Sequence, residues 1–174
     1  MYPSFTGTEI NERLLLEQLG EVDIQLETRF INTFNINQLK STEGVYGSVK
    51  PCHGLPWCVY VSKESPEEPS KDETLGVYLS FINERVELPC SDILSCNVVV
   101  SLELINQLDE SRSETADGTK TPTSLKEFHG GRRLGWGQFI IWDILANQEN
   151  GFVDADNNFT VKVILKLIDV KRWK

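Results

Sequence analysis

Apolar and polar positions alternate with a period of two through much of the chain after residue 28, and this pattern predicts strands. Phe30, Phe34 and Ile36 fall on one side of an extended segment, with Thr33 and Asn35 on the other. Residues 57–61, 75–81 and 98–105 are short runs rich in β-branched and aromatic side chains, the composition of half-buried strands. Over 159–168 the alternation is regular, Phe159, Val161, Val163, Leu165 and Leu167 against Thr160, Lys162, Ile164, Lys166 and Ile168. Helical spacing is confined to residues 9–22, where Leu15, Leu16 and Leu19 share a face and Gly20 is a natural stop. That helix is too short to be stable alone, and a trimerising coiled coil would need about three or four heptads. The polar stretches 62–74 and 109–124 lack apolar periodicity and are expected to be mobile loops, the second removable without loss of the fold. Several strands separated by turn-like segments predict an all-β antiparallel sandwich or barrel. The expected organisation is an extension over 1–27 carrying one short N-terminal helix, followed by a single domain over 28–174.

Composition narrows the function more than the fold. With 40% hydrophobic and 25% charged residues, the 174-residue chain has enough apolar surface for a core. Its formal net charge of −9 repels phosphate backbones and anionic lipid, which disfavours nucleic-acid and membrane partners. No apolar run reaches the ~18–20 residues of a membrane span, and the first residues lack the basic and apolar segments of a secretory signal. The expectation is an intracellular protein, cytoplasmic or nuclear. Cys52, Cys58, Cys90 and Cys96 are then expected to be reduced. Their paired gaps are looser than those of zinc ligands, and His53 is the only nearby imidazole, so no metal is expected.

Catalytic chemistry finds little to stand on. A Gly-x-Ser-x-Gly elbow, a phosphate-binding loop, a dinucleotide glycine fingerprint and a His-Glu-x-x-His helix are all absent, and His53 and His129 sit in no recognisable constellation. The chain is expected to be no enzyme and to need no cofactor. Asp154, Asp156 and Asn158 have the spacing that opens a calcium loop, but Phe159 stands where glycine is required and Leu165 where the bidentate glutamate is required. An Asp/Asn turn entering the last strand is expected instead.

Residues 128–142 are the most unusual stretch, with Gly130, Gly131, Gly135 and Gly137 around Arg132, Arg133 and Trp136. Composition allows two readings: a recognition surface with an aromatic anchor and positive charge, or core aromatics beside a solvated arginine turn.

In chain order, Phe30-x-x-x-Phe34-x-Ile36-x-x-Leu39, Gly54-Leu55-Pro56-Trp57-Cys58-Val59-Tyr60-Val61, residues 75–81, Leu134-Gly135-Trp136-Gly137-Gln138-Phe139-Ile140 and Gly151-Phe152-Val153-Asp154-Ala155-Asp156 resemble the MATH domain, also called TRAF-like or meprin and TRAF homology domain. The resemblance spans about residues 28–170, with Phe34 where the family usually carries Trp. Gly54-Leu55-Pro56-Trp57 and Gly151-Phe152-Val153-Asp154 are most similar to the substrate-recognition domain of a ubiquitin-specific protease.

The resemblance implies an antiparallel β-sandwich of about seven or eight strands. It also implies a non-catalytic module that binds short extended peptides in a shallow groove beside an edge strand, as a ubiquitin-pathway substrate adaptor. Carried over residue by residue, Tyr78 is an aromatic groove position and Val100 a second, apolar one, while Lys126, Arg132, Arg133, Leu134, Gly135 and Trp136 form the strand and loop facing the peptide. Where relatives carry Asp-Trp-Gly-Phe this chain has Arg133-Leu134-Gly135-Trp136, so their peptide motifs do not transfer. With Lys126, Arg132 and Arg133 gathered on an acidic chain, the partner is expected to be a protein presenting an acidic or acceptor-rich peptide. A monomer is favoured for this chain. The alternatives are a structural or oligomerising scaffold with a vestigial groove, and the recognition part of a larger ubiquitin-specific protease.

Overall fold

The computed structural model describes residues 26–40, 43–82, 93–117, 123–129 and 131–172; the helix expected over 9–22 and the Cys90 thiol lie outside them. Ten strands follow one another among the described residues: β1 (Leu26–Asn35), β2 (Val45–Tyr46), β3 (Lys50–Cys52), β4 (Leu55–Glu64), β5 (Thr74–Phe81), β6 (Ile93–Leu104), β7 (Glu114–Asp117), β8 (Thr123–Ser124), β9 (Leu134–Ile141) and β10 (Asn158–Arg172). Two single-turn helices, α1 (Leu125–His129) and α2 (Trp142–Ala146), flank β9. All pairings are antiparallel. One sheet has the order β1-β10-β6-β7, with β8 also on β6; the other has the order β2-β4-β5-β9, with β3 also on β4.

The period of two decides what lies between the sheets. Phe159, Val161, Val163, Leu165 and Leu167 of β10 and Val98, Val100, Leu102 and Leu104 of β6 are fully buried, and they meet Trp57, Val59 and Val61 of β4 and Leu75, Val77 and Leu79 of β5. Each such side chain contributes about 1.5–3 kcal/mol by leaving water. The expected antiparallel sandwich is therefore the observed fold, with ten strands among the described residues where about seven or eight were expected.

One polar side chain sits inside this apolar layer and ties the sheets together. Asn32 of β1 is buried; its Oδ1 accepts from Val59 N at 2.9 Å, and its Nδ2 donates to Ser48 O at 3.1 Å and Ser48 Oγ at 3.2 Å. Removing the amide strands a buried backbone donor, so Asn32→Ala is expected to lower stability by about 1–3 kcal/mol in urea unfolding. An unchanged midpoint would show that Val59 N finds another partner.

Two expected loops need correction. The 109–124 stretch is not one mobile loop, because Glu114–Asp117 pairs with 101–104 of β6 and Thr123–Ser124 pairs with Asn97 and Val98. An edge strand is held by its backbone ladder and has a solvated side, so it needs no apolar alternation. Asp109 opens a short turn by accepting from Ser111 N at 3.0 Å and Ser111 Oγ at 2.6 Å. Residues 118–122 lie outside the described residues. Likewise, 62–64 continue β4 and pair with 74–76 of β5, leaving only 65–73 as a connection.

Candidate functional site

β9 is the outer strand of the second sheet, with a ladder to β5 on one side among the described residues. Leu79 pairs with Leu134, Tyr78 with Gly135 and Val77 with Trp136; the ladder then resumes at Leu75 with Ile140 and Thr74 with Ile141. Gly137, Gln138 and Phe139 form a bulge opposite Gly76, pinned by Thr74 Oγ1 donating to Gly137 O at 2.8 Å. Strand parity sends Leu134 and Trp136 toward the core, where Leu134 is buried and Trp136 half-buried with its ring edge-on to Phe139 at 6.5 Å. Gly135 shares the outer face with Tyr78.

On that outer face three tyrosines from three strands stand in a row. Tyr46 and Tyr60 are 4.8 Å apart between ring centroids, and Tyr60 and Tyr78 are 6.2 Å apart. Arg133 reaches across from the start of β9, placing its guanidinium 3.7 Å from the Tyr60 ring centroid and donating from Nη2 to the Tyr46 hydroxyl. Glu64 closes the other end: its Oε1 accepts from Ser62 Oγ at 2.6 Å and Tyr78 OH at 3.2 Å. Gly76 leaves room for it, since a Cβ there would lie 2.7 Å from Glu64 Oε1. Tyr60, Ser62, Lys63, Glu64, Tyr78, Gly131 and Arg133 together line a depression of about 440 Å³. A second one of about 230 Å³ shares Glu64 and continues along Gly137 and Gln138.

Burial, reinforced by the Glu64 carboxylate, pushes the Tyr78 hydroxyl up to about 12, so it donates at every ordinary pH. Cys58 lies on the same side of β4 as Tyr60 and is fully buried; burial pushes its thiol up to about 11, against the pull of Arg133. Cys96 is likewise pushed up to about 11 by burial. A thiol whose folded pKa exceeds its unfolded value keeps a proton that the unfolded chain has already lost. Stability from these groups is therefore intact below the unfolded value of 9.0 and falls as pH rises from there to about 11. Melting curves are expected to show this alkaline loss, and a Cys58→Ala, Cys96→Ala double variant to show less of it.

The residues expected at the site are only partly brought together. Tyr78, Arg133 and Gly135 share the tyrosine face, and Leu134 and Trp136 line the inner side of the same strand. Val100 is corrected: the register of β6 with β10 places it opposite Leu165 in the core of the first sheet, fully buried, with no surface for a peptide. Lys126 is exposed on α1. Arg132 is not a free cation, because its Nη1 pairs with Glu127 Oε1 at 2.9 Å. Tyr46, Tyr60, Ser62, Lys63 and Glu64 carry no site motif in the sequence, although alternation along β4 puts Tyr60, Ser62 and Glu64 on one side and Val59 and Val61 on the other. Far from this face, Asp154 Oδ1 accepts from Asp156 N and Asn158 N, both at 2.9 Å, which is the expected Asp/Asn turn into β10.

The sequence pieces set out along the sandwich have a counterpart among known families: the model of the MATH domain matches residues 33–167. The chain belongs to the MATH domain family. The match runs from the end of β1 to Leu167 of β10 and takes in both sheets and the tyrosine face. A TNF receptor-associated factor family protein of Dictyostelium discoideum is 34% identical over 68 residues, which are 39% of this chain and 12% of that relative's length. MATH domains are in general protein-interaction modules without catalytic activity, and this MATH domain carries its tyrosine face beside an outer strand.

Proposed function

We propose that this MATH domain is a non-catalytic recognition module that holds a short extended segment of a partner protein along β9 and across the tyrosine face. The observation that carries this is the juxtaposition of β9, laddered on one side only among the described residues, with the depression lined by Tyr60, Glu64, Tyr78 and Arg133. An outer strand offers main-chain donors and acceptors to an extended segment, and a side depression reads alternate side chains. Of the cations behind the expected acidic partner, Arg132 pairs with Glu127, Arg133 stacks on Tyr60 and bonds the Tyr46 hydroxyl, and Lys126 is exposed. We extend the proposal to a substrate adaptor of the ubiquitin pathway, resting only on the resemblance of residues 54–57 and 151–154 drawn from the sequence.

The test uses a peptide retained from a screen of random linear peptides against the chain. Tyr60→Ala is expected to weaken it by about 1–3 kcal/mol, in the range of an interface aromatic, while Ile31→Ala, an exposed apolar position on β1 of the other sheet, leaves it unchanged. Equal loss from both, or loss from Ile31→Ala alone, would place binding elsewhere.

A further inference from the structure

The charged groups around the tyrosine face differ in how well they are answered. Lys63 Nζ lies 2.6 Å from Glu73 Oε2 and over the Trp142 ring. Arg133 is held on the faces of Tyr60 and Tyr46 and bonded to the Tyr46 hydroxyl. Glu64 alone lines both depressions as an anion, and its Oε1 is met only by two neutral hydroxyls, those of Ser62 and Tyr78. Among the described residues no cation pairs with Glu64, and its Oε2 takes no hydrogen bond. A half-buried carboxylate in this state favours an incoming donor, and a positively charged one most. Beside it stand the rings of Tyr60 and Tyr78, whose faces attract cations, as Arg133 already shows on Tyr60. The chain's net charge of −9 adds a long-range field of the same sign. An acidic side chain would have to approach Glu64 to reach an arginine whose ring-stacked guanidinium already bonds Tyr46.

We propose that Glu64 is the specificity-determining residue of this site, and that the bound segment places a lysine or arginine side chain against it, beside the Tyr78 ring and on the side away from Arg133. This rests on the peptide-recognition reading above. It makes the site a cation receptor in which Arg133 fills the part between Tyr46 and Tyr60 and the partner fills the Glu64 and Tyr78 end.

Selection of displayed random linear peptides on the full chain and on Glu64→Gln tests both levels separately. Glutamine keeps an acceptor for Ser62 and Tyr78, and a melting curve checks that the variant folds. Wild type is expected to enrich lysine or arginine at one position, and Glu64→Gln to lose that preference. A synthetic enriched peptide should bind Glu64→Gln about ten- to a hundredfold more weakly, the range of a hydrogen bond to a charged group. The same peptide with its basic residue replaced by norleucine should bind both proteins alike. Enriched peptides without a basic position, or an unchanged preference in Glu64→Gln, would overturn the assignment and leave peptide recognition standing; the wild-type selection decides this even if the variant fails to fold. If no peptide is enriched, peptide recognition itself fails, and the assignment with it.

Discussion

Replacing Trp57 by alanine is expected to remove about 3–5 kcal/mol of stability, a large share of the 5–15 kcal/mol typical of a domain. Trp57 is fully buried near the start of β4, edge-on to Phe81 at 5.0 Å and to Phe128 at 5.2 Å. Its removal opens a cavity and dissolves two aromatic pairs, each worth about 0.5–1.5 kcal/mol beyond burial. Phe128 anchors α1, the helix that leads to Gly131 and Arg133, so the damage extends to the tyrosine face. Trp57→Phe is expected to cost clearly less. It keeps an aromatic ring in the site and removes an indole Nε1 that has no hydrogen-bond partner among the described residues. Urea unfolding of the two variants checks the order; equal losses would mean that ring volume does not set the cost.

Gly135→Val is expected to unseat β9. A Cβ at 135 would run into the Val77 carbonyl oxygen and lie 2.6 Å from Tyr78 Cα, both backbone atoms of the paired strand. Neither can yield without parting β5 from β9, so the cost exceeds the ~1–3 kcal/mol of ordinary overpacking and peptide binding goes with it. Gly131→Ala is the control. Its φ is +90°, but nothing lies within 4 Å of the added Cβ, so the expected cost is the backbone strain of about 1 kcal/mol. Melting curves of both variants and peptide binding by Gly135→Val decide the matter; a stable, binding-competent Gly135→Val would show that the β5–β9 pairing is looser than its geometry.

What the sequence discloses follows from where the information sits. β10 is legible because one face is buried against the opposite sheet and that burial writes an alternating pattern, while β4, β5 and β6 are legible as short runs of β-branched and aromatic residues. β2, β3 and β8 are two or three residues long and leave no period to read. β7 is a polar edge strand whose reason to exist is the ladder on β6, a long-range property. The site shows the same division. Tyr78, Arg133 and Gly135 are reachable through family resemblance, but Val100 is carried onto a strand whose register faces it inward. The pairing of Arg133 with Tyr46 joins positions 87 residues apart, which no local motif announces. Glu127, which neutralises Arg132, lies five residues before it and was visible as a residue though not as a partner.

Hydrogen exchange of the β9 amides, with and without a peptide retained by the chain, tests the central claim most directly. Amides of Leu134–Ile141 that do not bond to β5 point to the open side of the strand. If an extended partner segment adds along β9, these amides should slow markedly on binding, while the exposed amides of β1 at the opposite edge of the sandwich keep their rates. Protection at β1 with β9 unchanged would contradict the account.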